Sequence, residues 1–165
     1  MSHVADSVTS AVDPVAALRP PAGPETQTSL ANILLVDDEP KSLYALQELL
    51  STLGENLLTA ASGEEALRLA LKNDFAVILL DVRMPGIDGF ETARLIRNRE
   101  RSRLTPIIFL TAAADEMTSM FRGYEVGAVD YLLKPFEPEI LSAKVSVFTD
   151  LARLRLETEV LTQRS

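Results

Sequence analysis

The sequence contains no cysteine, which excludes disulfides, thiolate nucleophiles and Cys-ligated metals. Its single histidine, His3, falls in an N-terminal stretch read as disordered, so histidine catalysis and His-rich zinc sites are not expected. No apolar run approaches the roughly 20 residues needed to span a bilayer, so no membrane association is expected. The first residues lack the basic start and apolar centre of a secretory signal, and a cytoplasmic location is expected. Positive charge is scarce: 16 Lys and Arg stand against 24 Asp and Glu, a net charge of -8. With a pI near 4.7, direct nucleic-acid binding by this chain is not expected. Any metal should be a hard, oxygen-loving cation such as Mg²⁺.

What is present describes a globular protein. The 165 residues are 47% hydrophobic, with a mean hydropathy of +0.11, enough for one core and some surplus. Residues 1–29 carry Pro14, Pro20, Pro21 and Pro24 without periodicity and read as a flexible leader. From Asn32 onward, short apolar runs alternate with helical patterns. Ile33-Leu34-Leu35-Val36 reads as a buried strand, and Pro40 suits the first turn of a helix bearing Leu43, Leu46, Leu49, Leu50 and Leu53. Gly54 stops that helix, and residues 56–60 form a second strand. Ser62 is an N-cap with Glu64 and Glu65 in the first turn of a helix whose stripe is Ala66, Leu67, Ala70 and Leu71.

The central run, Ala76-Val77-Ile78-Leu79-Leu80, suits a strand buried on both faces, and it stops at Asp81 before Pro85, Gly86 and Gly89. A helix over residues 89–99 turns Phe90, Ala93 and Ile96 inward. A fourth strand ends at Thr111, and a helix carries Met117, Met120, Phe121 and Tyr124. A fifth strand over residues 129–133 ends at Lys134, and a last helix begins after Pro138. Five βα alternations imply a parallel sheet.

Asp37, Asp38, Asp81, Thr111 and Lys134 each stand at the carboxyl end of a predicted strand. Those ends share one edge of a parallel sheet. If the order is 2-1-3-4-5, the first and third strands flank the switch-point crevice. Carboxylates gathered there either raise a pKa or bind a divalent cation. A lysine and a hydroxyl beside them complete the parts that phosphoryl transfer needs. Taken singly the residues have plainer readings: Asp37, Asp38 and Thr111 as helix caps, and Lys134 as a solvated charge. Their joint placement at strand ends favours the site.

At these residues LLVDDEP, LLDVRMPGIDGFE, PIIFLTAAAD and GAVDYLLKPF resemble the receiver domains of bacterial two-component response regulators. The resemblance covers roughly residues 31–150. It implies an α/β fold: a flavodoxin-like (βα)5, doubly wound parallel sheet of order 2-1-3-4-5, here with an extended C-terminal helix. It also implies that Asp81 accepts a phosphoryl group from a phosphohistidine on a sensor histidine kinase or phosphotransfer protein. Asp38, Asp81 and the backbone carbonyl of Arg83 would bind Mg²⁺, with Asp37 helping through water. Thr111 would bond the phosphoryl oxygens, Lys134 would pair with them, and Tyr131 would turn inward on activation, changing the surface of the fourth helix, fifth strand and fifth helix. Tyr131 reads equally as a half-buried strand residue. Lys134–Pro135 would be cis. Arg83 and Ala113 occupy the positions that tune phosphoryl lifetime and leave that lifetime open. By this reading the chain is a signalling receiver rather than an enzyme.

The expected organisation is a leader at 1–29, a receiver at 30–148 and a helical extension at 149–165. From Val147 into that extension, Val147, Leu151, Leu154 and Leu161 recur at steps of four and three residues, with Thr158 in the remaining position, a heptad-like seam. It suits a homodimer or a link to an output domain; the plainer alternative is a helix folded back on its own domain. Three rival functions differ in their sequence demands. An aspartyl phosphatase needs a second carboxylate two residues after Asp37, for which Glu39 is a weak substitute. A flavin-binding protein needs a phosphate loop that Asp37, Asp38 and Glu39 would repel. A scaffold of the same shape needs none of the charged set.

Overall fold

The computed structural model describes residues 30–112 and 130–164, with side chains described as far as residue 159. The expected leader, the helix around Met117, Ala113, Val129 and the Leu161 side chain lie outside the described residues.

Parallel pairing joins five strands in the order β2-β1-β3-β4-β5. They are β1 (Asn32–Val36), β2 (Asn56–Ala60), β3 (Val77–Asp81), β4 (Ile107–Thr111) and β5 (Asp130–Leu133). The described helices are α1 (Pro40–Leu50), α2 (Gly63–Lys72), α3 (Gly89–Arg97) and α4 (Pro138–Arg164). β3 and β4 are buried along their whole length, as expected for strands covered on both faces.

The period-two alternation of strand side chains divides the core. Leu34, Val36, Ile78, Leu80 and Phe109 pack with Ala66, Ala70, Phe90 and Ala93, which lie on α2 and α3. Ile33, Leu35, Val77, Leu79 and Ile108 pack with Leu46, Leu50, Leu141 and Val145, which lie on α1 and α4. Continuing the same alternation past the apolar run carries Asp37, Asp81 and Lys134 to the second face, at the carboxyl edge of the sheet. Pairing does not stop at the strand ends there. The N–H groups of Asp37, Val82 and Lys134 still donate to the carbonyls of Ala60, Leu110 and Thr111, which fixes the backbone from which the polar side chains project.

Two expectations need adjustment. The first helix does not run regularly to Gly54: it tightens into a 3₁₀ turn at Ser51–Leu53, and Gly54 closes it in the left-handed region at φ 71°. Leu71, expected in the buried stripe of α2, is 54% exposed. The buried packing residues of α2 are the small Ala66 and Ala70, with Leu67 and Leu69 partly buried beside them, and Leu71 is left at the margin. Ser62 does cap α2, its hydroxyl accepting the Glu65 N–H at 3.1 Å, while the Glu65 carboxylate accepts the Ala61 N–H.

Gly89 starts α3 directly beneath the third strand. Its N–H donates to the Val82 carbonyl at 2.9 Å, and a Cβ there would collide with the Asp81 carbonyl oxygen and come within 2.9 Å of Val82 Cα. Both obstacles are backbone, so neither can swing away. Gly89→Ala is expected to destabilise the fold by roughly 1–3 kcal/mol, read as a lower urea midpoint with unchanged slope.

Candidate metal and phosphoacceptor site

The site forms where three chain segments end. β1 runs into Asp37 and Asp38, β3 finishes on Asp81, and β5 hands on to Lys134. One carboxylate oxygen from each of Asp37, Asp38 and Asp81 lies within 4.8 Å of the other two. Asp37 is fully buried and Asp81 nearly so, whereas Asp38 is exposed and opens the group to solvent. The Lys134 ammonium reaches across the sheet edge to stand 2.8 Å from Asp37 Oδ2 and 3.6 Å from Asp81 Oδ2.

Local bonds hold the carboxylates in place. Asp37 Oδ1 accepts the Glu39 N–H at 2.9 Å, a short-range turn that pins the loop entering α1. The N-cap position of α1 is Glu39, without a side-chain cap. Asp37 therefore serves the loop and Lys134 at once, and the capping alternative for it does not account for its contacts. The Arg83 N–H approaches Asp81 Oδ1 at 3.4 Å, and Gly86 takes φ 78° in the loop that follows, a conformation that favours glycine.

The Asp81 carboxyl is raised to about 7, first by burial and then by the Asp37 charge, with Lys134 and the Arg83 N–H opposing the rise. For Lys134, burial works against the charge, but the hydrogen bond to Asp37 and the charges of Asp81, Asp37 and Glu39 outweigh it, so its pKa is raised. Three carboxylates gather in this partly dry crevice, two of them within 3.6 Å of the single Lys134 ammonium, which leaves a surplus of negative charge. An all-oxygen donor set with that surplus fits a hard divalent cation such as Mg²⁺.

Thr111 ends β4 and is 6% exposed; its carbonyl accepts the Lys134 N–H at 2.8 Å, which ties it to the lysine's backbone. Tyr131 is also inward. Its ring lies 5.7 Å from that of Phe109, which in turn lies 4.9 Å from Phe90. The peptide bond Lys134–Pro135 is cis. Sequence reasoning passed over Ser42, whose hydroxyl lies 3.4 Å from the Lys134 ammonium. A serine in the first turn of a helix carries no signal of its own, and only the fold brings it to a residue 92 positions away.

A family model described as the response regulator receiver domain matches residues 33–146. The chain belongs to the response regulator receiver domain family. Among curated relatives, the transcriptional regulatory protein AfsQ1 of Streptomyces coelicolor is 40% identical over 116 residues, which is 70% of this chain and 50% of that protein. The chain thus spans about half the length of the curated relatives it matches. Among solved structures, the chemotaxis response regulator CheY4 of Vibrio cholerae superposes with a TM-score of 0.67 at 36% identity, covering 73% of this chain and 99% of that one. The receiver domain of the sensor histidine kinase PA1611 of Pseudomonas aeruginosa gives 0.68 at 33% identity, covering 74% and 99%; that structure has a magnesium ion coordinated in its active site cleft. Receiver domains are signalling domains, and this receiver has the five-stranded parallel sheet of order 2-1-3-4-5 found in CheY-type structures. Among the described residues no helix is long and apolar enough to cross a membrane.

Proposed function

We propose that this receiver accepts a phosphoryl group on Asp81 from a phosphohistidine of a sensor histidine kinase or phosphotransfer protein. The observation that carries the reading is the meeting of Asp37, Asp38 and Asp81 within 4.8 Å of one another, with the Lys134 ammonium against two of them. Asp38, Asp81 and the backbone carbonyl of Arg83 would hold Mg²⁺, with Asp37 contributing through water. When bound, the ion supplies charge neutralisation for the carboxylates and for the incoming phosphoryl oxygens.

The chain's own residues do the rest. An Asp81 carboxylate oxygen attacks phosphorus in line; the phosphorus–nitrogen bond breaks, and its electron pair stays with the departing imidazole. Lys134 stabilises negative charge on the phosphoryl oxygens as it builds. The aspartyl phosphate then offers new acceptors, and the Thr111 hydroxyl turns to bond one of them. Tyr131 already packs inward against Phe109, and the shift of Thr111 towards the phosphoryl group would hold it there. The surface around the fifth strand and the helices beside it is thereby altered for a partner.

Residues 30–148 would act as the receiver and 149–165 as a helical extension that pairs two copies or leads to an output unit, with 1–29 as a leader. The exchange would take place in the cytoplasm, and the receiver itself would make no direct contact with nucleic acid. Incubating the full chain with Mg²⁺ and a small phosphoryl donor such as acetyl phosphate tests the core of this reading. One phosphoryl group per chain by intact mass is expected for the wild type and none for Asp81→Asn. Equal incorporation by both proteins would overturn it.

A further inference from the structure

The C-terminal helix α4 carries two apolar stripes, roughly a third of a turn apart. On one, Leu141 and Val145 are fully buried against the sheet, Phe148 packs beside them, and Thr149 is buried one turn on. Arg153 extends that attachment by pairing with Glu55, whose side chain is 4% exposed and also accepts the Ala31 N–H at 2.9 Å. On the other face Ile140, Val147, Leu151 and Leu154 are 46%, 54%, 48% and 57% exposed. Their spacing is seven, four and three residues, the repeat of a coiled-coil seam. Lys144 stands in the one intervening seam position and bonds Asp130 at 2.8 Å. An apolar helix face without cover is unfavourable in water, and a seam of this period is complementary to itself.

The charges beside the seam distinguish the possible arrangements. In a parallel pair, the residue just before one seam position faces the residue five places later on the other helix. That sets Asp150, 76% exposed, against Arg155, also exposed, and does so twice by symmetry. An antiparallel pair would instead bring Asp150 towards Glu157, acid against acid. Asp150 lies 3.8 Å from Arg153 of its own helix, but Arg153 is already bound to Glu55 and to the Thr149 carbonyl.

We infer that the exposed seam of α4 receives the same seam of a second copy in parallel, in a register set by reciprocal Asp150–Arg155 ion pairs. This deepens the dimer reading given above and rests on it. The extension is then a two-sided element: its inner face is fastened to the receiver through Arg153 and Glu55, and its outer face joins the two copies.

Sedimentation equilibrium of the full chain, with Mg²⁺ and with or without a beryllium fluoride phosphate mimic, provides the test. Asp150→Arg and Arg155→Asp are each expected to weaken self-association by about fivefold or more, and the double swap to restore it. Leu154→Asp is expected to abolish association. In this cysteine-free chain, Leu154→Cys is expected to yield a disulfide-linked dimer on mild oxidation. If the charge swaps have no effect, or the double swap does not recover, while Leu154→Asp still separates the copies, the register is wrong and the dimer reading stands. If the wild type is monomeric in both states, or Leu154→Asp changes nothing, both fall.

Discussion

Lys134→Ala should slow phosphorylation of Asp81 by roughly 10²–10³-fold, the usual cost of removing a group that stabilises developing charge. The expectation comes from position: the ammonium is held 2.8 Å from Asp37 and 3.6 Å from Asp81, on the side where phosphoryl oxygens must gather. Mg²⁺ binding should respond in the opposite sense. Removing a positive charge from beside three carboxylates leaves the cluster more negative, so calorimetry should find Mg²⁺ bound as tightly or more tightly. Slower labelling together with undiminished metal affinity separates a role at phosphorus from simple support of the acidic cluster. Parallel loss of both would assign Lys134 to the architecture of the site instead.

The stability of the metal-free protein should fall as pH rises from about 4 through about 7, and Asp81→Asn should remove that fall. The Asp81 carboxyl is raised from an ordinary value of 3.8 to about 7 in the folded chain, chiefly by burial and then by Asp37. Over this interval the folded state holds a proton that the unfolded chain has released. Stability therefore declines with rising pH and levels off above the folded value. The shift corresponds to on the order of 2–4 kcal/mol, so at pH 8 Asp81→Asn should be the more stable protein without metal. Added Mg²⁺ should close most of that gap for the wild type and do much less for the variant. Urea titrations at pH 5 and pH 8, with and without Mg²⁺, read all of these differences. A wild type equally stable at both pH values would contradict the charge crowding at Asp81.

Much of this was legible because strand burial and strand termination are local signals. The apolar run ending at Asp81 and its counterparts ending at Asp37, Thr111 and Lys134 give strand ends directly, and parallel topology gathers those ends without any contact having to be read. Side-chain packing was less legible. Leu71 has the spacing of a core residue, yet the buried packing residues of α2 are Ala66 and Ala70, and the larger side chain lies outside. The 3₁₀ turn at Ser51–Leu53 is likewise hidden, since the leucine periodicity continues through it. The contacts of Ser42 with Lys134 and of Glu55 with Arg153 join residues 92 and 98 positions apart. No period or motif links such pairs; they exist because the fold returns the chain to the same place. The pKa of Asp81 is of the same kind, since it depends on the burial and neighbours that folding creates.

The claim on which the rest depends is that Asp81, at the meeting point of the acidic cluster, is the atom group that takes up phosphorus. Borohydride reduction of the phosphorylated protein converts an acyl phosphate to the alcohol, so the modified position reads as homoserine in peptide mapping. Homoserine at position 81 alone, dependent on Mg²⁺, is the expected result. Homoserine at position 37 or 38, or a phosphoryl group that survives borohydride on a serine or threonine, would contradict it.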